Sequence, residues 1–162
     1  MQPYLHFWGK ARGDLPGQPS WHPNAYHCLD VAAVAVLLLD AFPRQLRHLA
    51  RLFETTPDNL KSLLVAAIAL HDIGKFGAAF QLKAPAHWPK VLGPLFQPGY
   101  AREGDHARLA SSARLVLRLD DAFARWTGHW DGAQFDELWH AIAGHHGQPR
   151  VDAADPDPGI YR

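Results

Sequence analysis

At 162 residues the chain has room for one domain whose single core buries roughly two-thirds of the unfolded surface. Sixteen basic residues offset sixteen acidic ones, which excludes the global positive field that advertises nucleic-acid binding, though not a local patch. A single cysteine, Cys28, excludes an internal disulfide framework and a cysteine-based zinc site. With no signal-peptide core and apolar runs that read as too short for a bilayer, it points to a cytoplasmic protein with no membrane partner.

In chain order, the opening residues up to about Pro23 are rich in glycine and proline and read as an irregular lead-in. The stretch "NAYHCLDVAAVAVLLL", Asn24 to Leu39, predicts a helix capped by Asn24 and stopped soon afterwards by Pro43. A second short helix is expected over Pro43 to Phe53. "TPDNLKSLLVAAIALHD" starts with Thr56 as N-cap, Pro57 in the first helical position and Asp58 in the first turn. It then runs apolar on nearly every side, as a central helix does. Residues 84 to 104 hold four prolines and three glycines and read as a long loop of the sort that walls a site. "DHARLASSARLVLRLDDAFARW" and "FDELWHAIAGHHG" supply two further helices, and the last twelve residues read as a tail or a cut end. Little alternates as a strand does, so an all-α bundle forming one domain over residues 1–162 is expected.

Eleven histidines are the anomaly of the composition. Helical spacing sets His27 on one face with Val31, Val34 and Leu38, and His106 on a stripe with Leu109, Ala110, Ala113 and Leu117. In the last helix Phe135, Leu138, Trp139 and Ile142 form a stripe that continues to His145 and His146. In the central helix His71 lies in line with Leu64 and Ala67 or Ile68, and Asp72 follows Val65 and Ile68. Four helices thus aim histidine or aspartate inward. A lone inward histidine such as His27 or His106 is more often a hydrogen-bonded core residue than a ligand. Adjacent pairs are different. Side chains one residue apart on a helix diverge by about 100°, so His71-Asp72 and His145-His146 are satisfied together only by something seated in the gap. Imidazoles and a carboxylate converging at helix ends suit one or two divalent transition-metal ions from the set Fe, Mn, Co, Ni and Zn. Two ions about 3.5 to 4 Å apart, bridged by Asp72, would compensate that buried charge.

"HDIGKF", with "YHCLDVAAVA" upstream and "AGHHG" downstream, resembles the HD-domain metal-dependent phosphohydrolase superfamily. More narrowly it resembles the N-terminal HD nuclease domain of the CRISPR-associated type I effector nuclease-helicase, over roughly residues 4 to 150. The resemblance implies an HD-domain helical bundle with its metal site at converging helix ends. It implies His27 and His71 on one ion, His106, His145 and His146 on the other, Asp72 between them, and Lys75 placed to neutralise a phosphate. It implies hydrolysis of single-stranded DNA by metal-activated water without a protein nucleophile. The partners implied are a helicase domain in cis or trans and a guide-RNA surveillance complex.

Asp30 and His22 are candidates for orienting the ligands, although a helix-start or surface role is the commoner one for each. Lys83, Lys90, Arg102 and Arg108 are candidates for lining a DNA approach, with Trp88 or Phe96 stacking on bases. The family's later aspartate has no counterpart in a helix beyond Gly147, where Asp152, Asp155 and Asp157 stand among prolines. The chain is therefore expected to be the front part of a longer domain, or a short variant with one ion under-coordinated. Two other readings stand beside the nuclease. One is an HD phosphohydrolase acting on nucleotides or cyclic nucleotides; the other is a catalytically impaired HD module that only docks.

Overall fold

In the computed structural model the described residues are 2–11, 20–94, 110, 113–128 and 130–144. Two short strands, β1 (Trp8–Ala11) and β2 (Trp21–Pro23), pair antiparallel with an irregularity between Trp8 and Lys10. The α-helices whose two ends are described are α1 (Asn24–Ala41), α2 (Pro43–Leu52), α3 (Pro57–Ala69), α4 (Ala78–Gln81), α5 (Leu119–Thr127) and α6 (Gly132–Ala143). The all-α expectation holds, with one correction: part of the lead-in is a hairpin-like pair of strands. Strands of four and three residues are too short to show alternation in sequence.

α3 begins as its sequence dictates. Thr56 accepts a hydrogen bond from Asn59 N, Pro57 takes the first helical position, and Asp58 sits in the positive first turn. Leu60 and Leu63 are almost fully buried, each worth about 1.5–3 kcal/mol relative to exposure. They join Leu46 and Ala50 of α2, Phe123 of α5, and Trp139 and Ile142 of α6 in the main core. A smaller cluster, Trp8 against Phe80, joins β1 to α4. His71 and Asp72 do not continue α3, which stops at Ala69. They occupy the turn that follows it and leads into a 3-10 turn over Ile73–Phe76.

α1 departs from expectation in two ways. Asn24 does not cap it: Pro23 stands at the N-cap, and Asn24 is the first helical residue, wholly buried. The buried face is Asn24, Cys28, Ala32 and Ala35, not the Val31, Val34 and Leu38 stripe. Val34 and Leu38 are 55% and 53% exposed, while His27 is half-buried at the edge of the inner face. Small alanines allow close packing, so they meet α3 and the bulkier side chains turn outward. Length and composition alone also make α1 apolar enough to cross a bilayer, with mean hydropathy 1.4. This corrects the expectation that no run is long enough; in the fold α1 packs along α3 as a bundle helix.

The helix expected over residues 105–126 is broken within its described part. Residues 113–116 are helical, Arg118 adopts a left-handed conformation with φ 50°, and α5 restarts at Leu119. The break lets the Arg114 guanidinium bond both carboxylate oxygens of Asp120 and reach Asp136 of α6. Ala110 and Ala113 are buried as the His106 stripe predicted, but Leu117 is 55% exposed because the chain turns there. α6 starts earlier than expected, at a capping box in which Asp131 and Gln134 bond each other's backbone N–H groups.

Candidate metal centre

α1 and α3 run antiparallel, so the first turn of α1 meets the turn that follows α3: Asn24 Nδ2 donates to Asp72 O at 3.1 Å. That crossing brings three of the expected ligands together. His27 Nε2 lies 3.1 Å and His71 Nε2 3.2 Å from Asp72 Oδ2. The ligand atoms of the three residues all fall within 4.8 Å of one another, and the two imidazole rings meet edge to face at 5.3 Å. His71 Nδ1 lies 2.8 Å from Ile68 O. With the proton on Nδ1 donated to that carbonyl, Nε2, which faces Asp72, is the nitrogen that would ligate an ion, which is how ligating histidines are usually held.

Lys75 completes the group, with Nζ 2.7 Å from Asp72 Oδ2 and 5.6 Å from the centre of the Phe80 ring. The local fold explains why the spacing is three residues. In a 3-10 turn the side chains at i and i+3 eclipse, and Lys75 N donates to Asp72 O at 2.9 Å to close that turn. The Asp72 side chain is 2% and that of Lys75 12% exposed. Burial works to raise the Asp72 pKa, but the hydrogen bonds and charges of His71 and Lys75 outweigh it and hold the carboxyl well below the usual carboxylate range. The Asp72 bond raises the His71 pKa against the effect of burial, whereas burial lowers that of His27 despite Asp72. Burial pushes the Cys28 thiol up to about 11, helped by the Asp72 charge, so it stays protonated.

This donor set fits a divalent ion. Two imidazole nitrogens and a buried carboxylate share one small space, and the Ile68 carbonyl stands ready to accept from His71 Nδ1 and so orient the ring. Lys75 supplies the positive charge that the carboxylate requires.

The remaining candidates separate clearly. His106, Arg102, Arg108, His145, His146, Phe96, Asp152, Asp155 and Asp157 lie outside the described residues. His22 and Asp30 pair with each other at 3.4 Å, their side chains 44% and 72% exposed. That is the surface role, the commoner of the two expected for each, rather than the ligand-orienting one. Lys83 is exposed and lies 5.1 Å from the centre of the Phe80 ring, so it and Lys75 share one aromatic neighbour. Lys90 is exposed, and Trp88 Nε1 donates to Gly93 O within its own loop. An open cavity of about 190 Å³ lies between α3 and α6, with His71, Leu138 and Ile142 among its lining residues. The sequence reading missed two buried amides, Asn24 and Gln81, that bond the backbone of the Asp72–Lys75 turn. A lone amide has no spacing that could reveal it.

The family model "Cas3, HD domain" matches residues 8–160. The chain belongs to the Cas3 HD-domain family. It is also 38% identical over 167 residues to the CRISPR-associated endonuclease/helicase Cas3 of Escherichia coli (strain K12), an alignment covering 91% of this chain and 18% of that protein. The chain thus spans less than a fifth of that relative's length. No solved structure matches. Membership makes the chain a CRISPR-associated HD domain of the metal-dependent hydrolase class, and HD domains bind divalent metals, in keeping with the donor set of His27, His71 and Asp72.

Proposed function

We propose that this domain is a metal-dependent nuclease that hydrolyses phosphodiester bonds of single-stranded DNA in type I CRISPR interference. The observation that carries the reading is the convergence of His27, His71 and Asp72 from α1 and the turn after α3. In this reading His27, His71 and Asp72 hold one divalent ion, and Asp72, His106, His145 and His146 hold a second. Two features support a contribution from α6. Its Leu138 and Ile142 share a cavity with His71, and Gly144, the residue that follows its end, immediately precedes His145 in the sequence. The bound ions supply Lewis acidity and an activated water. The protein's own part is to hold the ligands dry and oriented, and to present Lys75, with Lys83 beside it, to an incoming phosphate. The helicase named in the E. coli relative fits a role in delivering the strand, and a guide-RNA surveillance complex in exposing it. We place this work in the cytoplasm.

The test is cleavage of a labelled single-stranded oligodeoxynucleotide with metal analysis of the same sample. Wild type is expected to cut, to stop with chelator, and to recover better with a transition-metal ion than with magnesium. His71→Ala and Asp72→Ala are each expected to abolish cleavage with helical content retained. Undiminished cutting by both variants would remove the assignment. Hydrolysis of nucleotides or cyclic nucleotides in place of the oligonucleotide would redirect it to a small-molecule phosphohydrolase.

A further inference from the structure

The turn that carries Asp72 and Lys75 is held at both ends by side-chain amides from elsewhere in the fold. Asn24, wholly buried at the start of α1, donates from Nδ2 to Asp72 O at 3.1 Å. Gln81, wholly buried at the end of α4, donates from Nε2 to Lys75 O at 2.6 Å and to Trp8 O at 2.9 Å. Its Oε1 accepts from Trp8 N at 3.1 Å, so its orientation is fixed by a backbone donor on one side and two backbone acceptors on the other.

The two amides share a brace, the segment 7–9 entering β1. Asn24 N donates to Phe7 O at 2.8 Å, the Gln81 side-chain amide bonds both the N–H and the carbonyl of Trp8, and Gly9 lies directly against Asn24. A Cβ added at Gly9 would stand 2.6 Å from Asn24 Oδ1 and 2.8 Å from its Cα, closer than any carbon tolerates. Gly9 is also where the β1–β2 register breaks. Asn24 Oδ1 is buried with no hydrogen-bond partner among the described residues. A buried, unmade acceptor lowers stability, so thermal stability alone does not account for an asparagine at this place. Its other half, the bond to Asp72 O, does.

We propose that Asn24 and Gln81 are positioning residues which, braced by residues 7–9, pin the Asp72 and Lys75 carbonyls and so set where carboxylate and ammonium meet. Neither amide touches a ligand atom; each acts through the backbone of a residue that does. The inference rests on the reading of Asp72 as a metal ligand, and its consequence is geometric. If either amide is lost, the 3-10 turn relaxes, the eclipsed Asp72 and Lys75 side chains diverge, and the ion is held in a looser cage.

The experiment compares the wild-type chain with Asn24→Ala, Gln81→Leu and Gly9→Ala. Gly9→Ala keeps every polar group and only presses on Asn24. The control is Leu46→Ala, a core substitution in α2 away from the turn. Mn²⁺ affinity is read by calorimetry, kcat and KM on a short single-stranded oligodeoxynucleotide, and Tm by circular dichroism. Each amide variant, and Gly9→Ala, is expected to bind Mn²⁺ about 10-fold more weakly and to lose about 10- to 100-fold in kcat, the range seen when residues behind metal ligands are removed. KM for the oligonucleotide is expected to stay at its wild-type value. Leu46→Ala is expected to lower Tm while leaving Mn²⁺ affinity unchanged. Wild-type Mn²⁺ affinity in folded Asn24→Ala and Gly9→Ala overturns the proposal, as does an equal loss in Leu46→Ala. Should Gln81→Leu fail to fold, the other two variants decide. A wild-type chain that binds Mn²⁺ but leaves the oligonucleotide intact overturns the substrate reading alone, and the calorimetry still decides the positioning role. A wild-type chain that binds no Mn²⁺ overturns both.

Discussion

The α1–α3 pair carries an aspartate–lysine contact at each end, and the two ends differ in everything except the residue types. At one end Asp40 and Lys61 meet with side chains 59% and 28% exposed. At the other Asp72 and Lys75 meet at 2.7 Å with side chains 2% and 12% exposed, between two imidazoles. In water such a pair contributes between nothing and about 1 kcal/mol. Withdrawn from water, the same charges are costly apart and strongly coupled together. The contrast teaches that burial and neighbours, rather than the residue pair itself, make one end a reactive centre and leave the other a clasp.

Removing one partner at each end breaks the comparison most directly. Lys75→Met in the metal-free chain removes the ammonium beside Asp72 and leaves its carboxylate buried against His27 and His71. The expected loss of unfolding free energy is about 3–5 kcal/mol by urea titration, partly restored by adding Mn²⁺. A loss under 1 kcal/mol would mean that the neighbours left in place satisfy the carboxylate.

The next effect is in proton binding and is read by following the imidazole resonances of the metal-free chain. His71, raised by its Asp72 bond, is expected to titrate above 6.5; His27, lowered by burial, below it. The signs for stability follow from linkage. The His71 contribution is complete below 6.5 and fades as pH rises through its folded value. The folded state resists protonating His27, so stability falls as pH drops through 6.5 toward the folded value of that ring. The Asp72 contribution is present above about 3.9 and is lost as pH falls toward its depressed folded value. Coincident titration of the two rings would show that Asp72 does not distinguish them.

Least is expected from the exposed end. Asp40→Asn is predicted to change the unfolding free energy by no more than about 1 kcal/mol and to leave Mn²⁺ affinity unchanged. A larger change would show that the two ends of the pair are mechanically linked.

Much of this was legible in the sequence. The start of α3 was written in Thr56, Pro57 and Asp58, and the adjacency of His71 and Asp72 demanded a shared partner. That His27 would meet the pair was carried by the family resemblance, because the stripe of Val34 and Leu38 used to turn it inward is exposed. The face of α1 was not legible, because Leu, Val and Ala on every side give periodicity nothing to choose between. Packing chose the small residues Ala32 and Ala35 over Val34 and Leu38. The break at Arg118 hid inside a continuous helical pattern, since a left-handed non-glycine residue carries no composition signal. It is stabilised from outside, where Arg114 grips Asp120 and Asp136. The amides of Asn24 and Gln81 work through long-range backbone contacts, which only the fold creates.

The choice of face on α1 has a consequence at the bench. Leu29, Val34, Leu37 and Leu38 leave an oily flank turned to water, of the sort that drives self-association in concentrated solution. Handled alone, the chain is therefore expected to stay monomeric only when dilute. Lysine or glutamate at positions 37 and 38 gives a better-behaved sample for every measurement above, without approaching the ligands at the opposite end of the helix.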